Sequence, residues 1–126
     1  MNIRTFNTGA TRNSEEGKLD YEGFLSPLVI ERFGEYMHEH RKQEDGSLRD
    51  SDNWQKGIPF TAYMKSAWRH FHCWWKLHRR LQDLKARGFT DIEVSAAKQL
   101  EDAICALIFN AQGYLHEQLK SRNSER

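Results

Sequence analysis

The run FTAYMKSAWRHFHCWWKLHRR, Phe60 to Arg80, decides how this chain is read. Met64, Ala67, Phe71 and Trp74/Trp75 recur at helical spacing. That predicts a helix from about Phe60 to Arg80, extending toward Arg87, with Gly88 ending the segment. The same run holds histidines, a cysteine and arginines, so a metal site and a nucleic-acid stripe compete with the plain reading of a core helix. At 100° per residue His70 and His72 stand about 200° apart and cannot ligate one ion together. His70 and Cys73 could, but zinc wants three or four ligands, and no second Cys/His pair stands at metal spacing. Structural zinc is therefore not expected. Lys76, Arg79 and Arg80 beside exposed aromatics could grip phosphate and stack bases. Alternatively, Phe71, Trp74 and Trp75 are core or subunit interface, and Arg79 and Arg80 are a solvated helix end, where cations are favoured. The apolar spacing favours this second reading.

Working outward, the preceding segment QEDGSLRDSDNWQKGIP, residues 43–59, is a polar connection broken by Gly46, Gly57 and Pro59. Trp54 and Ile58 are its apolar anchors. A loop this long inside a compact domain is usually functional. Before it, Ser26-Pro27 form an N-cap with proline in the first turn. Val29, Phe33 and Tyr36/Met37 then continue a first helix to about Arg41. After Gly88, Thr90 and Glu93 make a capping box. A third helix follows, with Ala97, Leu100, Ile104, Leu107, Ala111 and Leu115 as its stripe, ending near Leu119. Residues 1–25 read as an arm or loop, and 120–126 as a frayed tail. No alternating β pattern or internal repeat appears. The expected fold is all-α, a single domain of 1–126: a bundle of three long helices plus an N-terminal arm. Apolar surface left uncovered predicts a homo-oligomer, dimer or tetramer, that completes the bundle.

Composition narrows the function. The chain has 126 residues, 19 Lys/Arg and 18 Asp/Glu, a net charge of +1. A surface built throughout for phosphate backbones is not expected from that balance. No apolar run is long enough to span a bilayer, and the polar start lacks a secretory h-region. Cys73 and Cys105 lie within helical patterns without CxxC spacing, so reduced thiols in a cytoplasmic protein are expected.

Candidate chemistry comes from side chains that the helices could bring together. Glu31, Glu35 and His38 share one face of the first helix. Either they are a solvated face or they are part of a site. On the third helix, Asp102 and Asn110 differ by about 80° around the axis, and Glu101 borders the stripe. Carboxylates projecting inward from several helices can hold hard divalent ions. His70 flanks the apolar stripe of the middle helix, beside Arg69, as a boundary histidine or a base. Lys56-Gly57 precede a helix start, where free N–H groups favour phosphate. Arg12 and Lys18 on the arm could close over such a ligand.

The order TGATRNSEEGKLDYEGFLSPLV, DSDNWQKGIP, AWRHF and EDAICALIFNAQGYLHE resembles the MazZ-like dATP/dGTP diphosphohydrolase family of phages and prophages, related to the all-α MazG-type nucleotide pyrophosphohydrolases. The resemblance runs from about Thr8 to Glu117. It implies an oligomeric, MazG-like all-α bundle in a host cytoplasm. The implied reaction is hydrolysis of a deoxypurine nucleoside triphosphate, dGTP or dATP, to the monophosphate and pyrophosphate with Mg²⁺ or Mn²⁺. The ExxE and ExxD carboxylate pairs of MazG proteins are absent: the chain offers Gln99-Leu100-Glu101-Asp102 at the second. On this reading Glu35, Glu101 and Asp102 are the expected metal ligands, with Glu31 in reserve. His70 is the expected base, with Glu35 and Asp102 as its catalytic company. Arg12, Lys18, Lys56 and Arg69 would face the phosphates, Trp54 would stack on the base, and Asn53 and Asn110 would contact base or sugar. No nucleic acid or membrane partner is expected. The alternatives are a non-enzymatic nucleic-acid-binding accessory protein that uses the Trp/Arg/Lys stripe, and a scaffold with no ligand.

Overall fold

The computed structural model describes residues 2–88 and 94–124. The chain divides into two compact units, Met1–Ile30 and Glu31–Arg126. The first opens with an antiparallel hairpin, β1 (Ile3–Thr5) and β2 (Thr11–Asn13), in the register Ile3 to Asn13, Arg4 to Arg12 and Thr5 to Thr11. This corrects the expectation of an arm without β structure. The strands are three residues each, too short to show an alternating pattern. They are closed by Phe6–Ala10, where Phe6 N–H donates to the Ala10 carbonyl at 2.9 Å and Gly9 takes φ 89°. That left-handed backbone suits glycine because it has no Cβ. A short helix α1 (Tyr21–Phe24) follows, capped by Asp20, whose Oδ1 accepts from Gly23 N–H at 3.0 Å.

Helix α2 (Pro27–Glu39) starts where the sequence predicts, with Ser26 Oγ accepting from Val29 N–H at 3.3 Å. Helix α3 spans Phe60–Ala86, and α4 spans Val94–Ser124. Gly88 ends α3 at φ 92°, its N–H donating to the Lys85 carbonyl at 3.1 Å. The Thr90–Glu93 capping box lies outside the described residues. Residues 120–124, expected to fray, continue α4 as helix; 125–126 also lie outside the described residues. The structure is thus mostly helical, with α3 and α4 as its principal packed pair. Phe60 meets Tyr114, Tyr63 meets Phe109, and Met64, Ala67 and Phe71 meet Leu107 around one hollow. Contacts that descend α4 as they climb α3 make the pair antiparallel.

The fully buried positions are not the ones the apolar spacing selects, although Ala67, Trp74, Ala97, Leu100, Ile104 and Leu107 of the predicted stripes are half-buried. On α3 the buried residues are Tyr63 and Leu77, with His70 and Trp74 half-buried on the same side. Met64, on the predicted apolar stripe, and Phe71 and Trp75, expected in the core or a subunit interface, are exposed in the single chain. On α4 the buried set is Ala103, Cys105, Ala106, Asn110 and Gly113, while Ala111 and Leu115 face outward. Small residues are buried because they let backbones approach. A Cβ at Gly113 would overlap the edge of the Tyr63 ring. Helix α2 covers α4 through a cluster of Tyr36, Cys105 and Ala106, flanked by Phe33 and Met37. Both cysteines are free, Cys73 exposed and Cys105 buried. Among the described residues no helix is long and apolar enough to cross a membrane.

Candidate functional site

The second unit holds a cavity of about 270 Å³ behind the end of α2. The chain leaving α2 turns back on itself there. Arg49 N–H donates to the Arg41 carbonyl at 2.8 Å, and Arg41 Nε donates to the Arg49 carbonyl at 2.8 Å. The bend is tightened by Gly46 at φ 85° and by Asp45 Oδ1, which accepts from Ser47 N–H at 2.9 Å and Ser47 Oγ at 2.6 Å. Those donors hold the Asp45 carboxyl below its usual range. A 3₁₀ turn, Asn53–Lys56, then sets Asn53 and Trp54 in the wall. Trp54 is fixed edge-on against His116 of α4, ring centroids 4.8 Å apart. His38, His40, Arg41, Arg49 and Asp50 supply the rest of the polar lining, with Met37 and Phe109 as apolar wall.

His40 has a defined tautomer. Its Nδ1 lies 2.8 Å from the Tyr36 carbonyl oxygen, which can only accept, so Nδ1 carries the proton. In the neutral ring this leaves Nε2 as an acceptor. The ring also packs on Tyr36 at 4.0 Å. His70 does not line this cavity. It is half-buried, and burial, then Arg69, then His40 hold its pKa below the ordinary 6.5. His70 is therefore neutral at pH 7. Arg41 and Arg49 have no carboxylate partner among the described residues, so their charge is free for an anion.

The expected carboxylate site takes a different form. Arg32 of α2 bridges Glu101 and Asp102, Nε to Glu101 Oε1 and Nη2 to Asp102 Oδ1, both at 2.7 Å. Lys98 adds contacts to Asp102 Oδ2 at 2.9 Å and Glu39 Oε2 at 3.2 Å. Burial works against the Asp102 charge, but the hydrogen bonds from Lys98 and Arg32 outweigh it and draw its pKa down. The hydrogen bonds to Glu101 and then to Asp102 raise the Arg32 pKa in turn. A guanidinium thus stands where a divalent ion would sit between the two carboxylates. Glu31 and Glu35 are exposed, and among the described residues no three His, Cys, Asp or Glu side chains gather to hold a metal. The donors as arranged do not fit Mg²⁺ or Mn²⁺.

The other expected residues are distributed as follows. Asn53 and Trp54 share the cavity. Asn110 is buried at 4% exposure and donates Nδ2 to the Ala106 carbonyl at 2.7 Å, a bond within its own helix. Lys56 is exposed. Arg69 lines a separate hollow between α3 and α4, with His72, Lys76, Arg80 and Gln99. Arg12 and Lys18 do come together, within the first unit, lining a polar hollow of about 360 Å³ with Arg4 and Glu15. Arg4 there is held by Glu15 at 2.7 Å. Sequence reasoning missed His40, Arg41 and Arg49. The available signal was the pair of arginines bracketing a Gly-containing turn just before DSDNW. No family model, no curated protein and no solved structure matches the chain.

Proposed function

We propose that this chain binds a deoxypurine nucleoside triphosphate in the Asn53–Trp54 cavity and hydrolyses it to the monophosphate and pyrophosphate. The observation that carries the reading is the convergence, on one cavity, of an aromatic plane, an amide, two arginines without carboxylate partners and a histidine with a free acceptor nitrogen. Trp54 and Phe109 would contact the base, and Asn53 a base edge or the sugar. Arg41 and Arg49 would take the phosphates and neutralise the charge that grows there as the bond breaks. His40 Nε2 would accept a proton from the attacking water. The water oxygen bonds to the α-phosphorus, the bond from that phosphorus to its bridging oxygen breaks, and pyrophosphate leaves. The resemblance to MazZ-like diphosphohydrolases supports the substrate class and a MazG-like, oligomeric bundle. Its divalent ion is the part that the Arg32-bridged carboxylates do not fit, and no step is assigned to it.

The test is a hydrolysis panel: each dNTP and NTP with the purified chain, in Mg²⁺, Mn²⁺ or chelator, products separated. Formation of dNMP plus pyrophosphate, strongest with dGTP or dATP, and lost in His40→Gln, is the expected result. Folded protein that turns over no nucleotide in any of these conditions overturns the reading.

A further inference from the structure

The outer face of α3 is a separate feature of the second unit. Trp68 is 68% exposed, Phe71 45% and Trp75 50%. With Met64 they follow a 4-3-4 spacing, so they form one stripe on the side of the helix opposite Tyr63 and Leu77. One flank of the stripe is apolar, a hollow walled by Met64, Ala67, Phe71 and Leu107. The other flank is basic. By helical geometry Arg79, Lys65, Lys76, Arg69 and Arg80 all lie within about 120° of Trp68 on that side. Arg79 already stands over the Trp75 ring, its guanidinium carbon 5.8 Å from the centroid. Along its whole length α3 carries six Lys/Arg and one acid, Asp83, which faces Arg87 at 3.6 Å.

We infer that this face binds single-stranded nucleic acid, bases stacked on Trp68, Phe71 and Trp75 and phosphates along the basic flank. Charge complementarity selects the occupant. A second copy docking through the same face would bring two basic rows together, and like charges in apposition are costly. An aromatic stripe beside a cationic row suits a polymer whose one edge is π surface and whose other edge is anionic. Trp68 and Trp75 are about 10 Å apart along the axis. Three aromatic rings over that length offer three stacking positions. A duplex keeps its bases stacked inside and offers the tryptophans nothing.

None of Trp68, Trp75, Lys76, Arg79 or Arg80 lines the Asn53–Trp54 cavity, so the two readings fail separately. The experiment is fluorescence anisotropy of a labelled oligothymidylate with the full chain, run from about 50 to 200 mM salt, beside a duplex of equal length. Tighter binding to the single strand is expected, and Trp68→Ala and Trp75→Ala should each weaken it about tenfold, the scale of one base–aromatic stack. A Lys76→Gln/Arg79→Gln/Arg80→Gln variant should lower the slope of log affinity against log salt by about 2, near 0.7 for each phosphate no longer neutralised. It also covers the case in which a tryptophan variant fails to fold. Turnover of dGTP should be unchanged in all three variants. Absence of oligomer binding by folded protein at low salt overturns the inference, as does equal affinity for the duplex. Sedimentation gives the rival outcome: a dimer that dissociates in Trp68→Ala, with oligomer binding intact, makes the face a contact between copies.

Discussion

At residue scale the decisive detail is which nitrogen carries a proton. The Tyr36 carbonyl takes the Nδ1 proton of His40 in a hydrogen bond, and in the neutral ring that makes Nε2 available to a water. His40→Gln should therefore cut kcat by about 10²-fold or more, the usual worth of a general base. Trp54→Ala should act mainly on KM, since a stacking wall binds ground and transition states alike. Steady-state kinetics on both variants separate these effects. His70 yields a different prediction. Its pKa is depressed in the folded chain by burial, Arg69 and His40, so below 6.5 the unfolded chain binds the extra proton more readily. Stability should be complete above pH 6.5 and fall as pH drops toward the lower folded value. Asp102, also depressed, should add a second loss, present above 3.8 and removed as pH falls through its own lower folded value. Melting temperature against pH checks both windows, and His70→Gln should flatten the upper one alone.

Elements are where the sequence is read most and least well. The start of α2 at Ser26-Pro27, the extent of α3 and its stop at Gly88 are legible, because caps, proline and glycine act locally. Which face of α3 is most deeply buried is not, because apolar spacing cannot say which of two apolar arcs meets a neighbour. Trp75 and Phe71 look like core by composition and are surface, while Gly113 and Ala106, which look like filler, make the close contact. The pairing of Asn53 with Trp54 in one wall is readable from their adjacency. The Arg32 bridge over Glu101 and Asp102 is not, since it joins residues about seventy apart in sequence. Gly113→Ala should cost about 1–3 kcal/mol through overpacking against Tyr63. The Tyr63 hydroxyl, in a residue 2% exposed, has no hydrogen-bond partner among the described residues. Tyr63→Phe should accordingly be neutral or raise stability by about 1 kcal/mol, because an unsatisfied buried group is removed. Denaturant titration reads both.

For the whole molecule, near-neutrality conceals an uneven distribution of charge. The chain totals 19 Lys/Arg against 18 Asp/Glu, yet α3 holds six of the former and one of the latter. The remainder is therefore acidic by four, and a field exists that the net value hides. At pH 7.8, the isoelectric point, the protein should still be retained on a cation exchanger at low salt. Neutralising Lys76, Arg79 and Arg80 should abolish that retention, and elution position measures it.

The two cysteines divide the molecule's opening motions into the visible and the hidden. Cys73 meets solvent directly, whereas Cys105 sits within the α2–α4 cluster, its thiol pushed up by burial. A maleimide added in excess should attach at once to Cys73 and to nothing else. The second adduct can form only when α2 lifts from α4, so its slow rate is a clock for that opening. Anything that tightens the cluster should slow it, with no other probe needed.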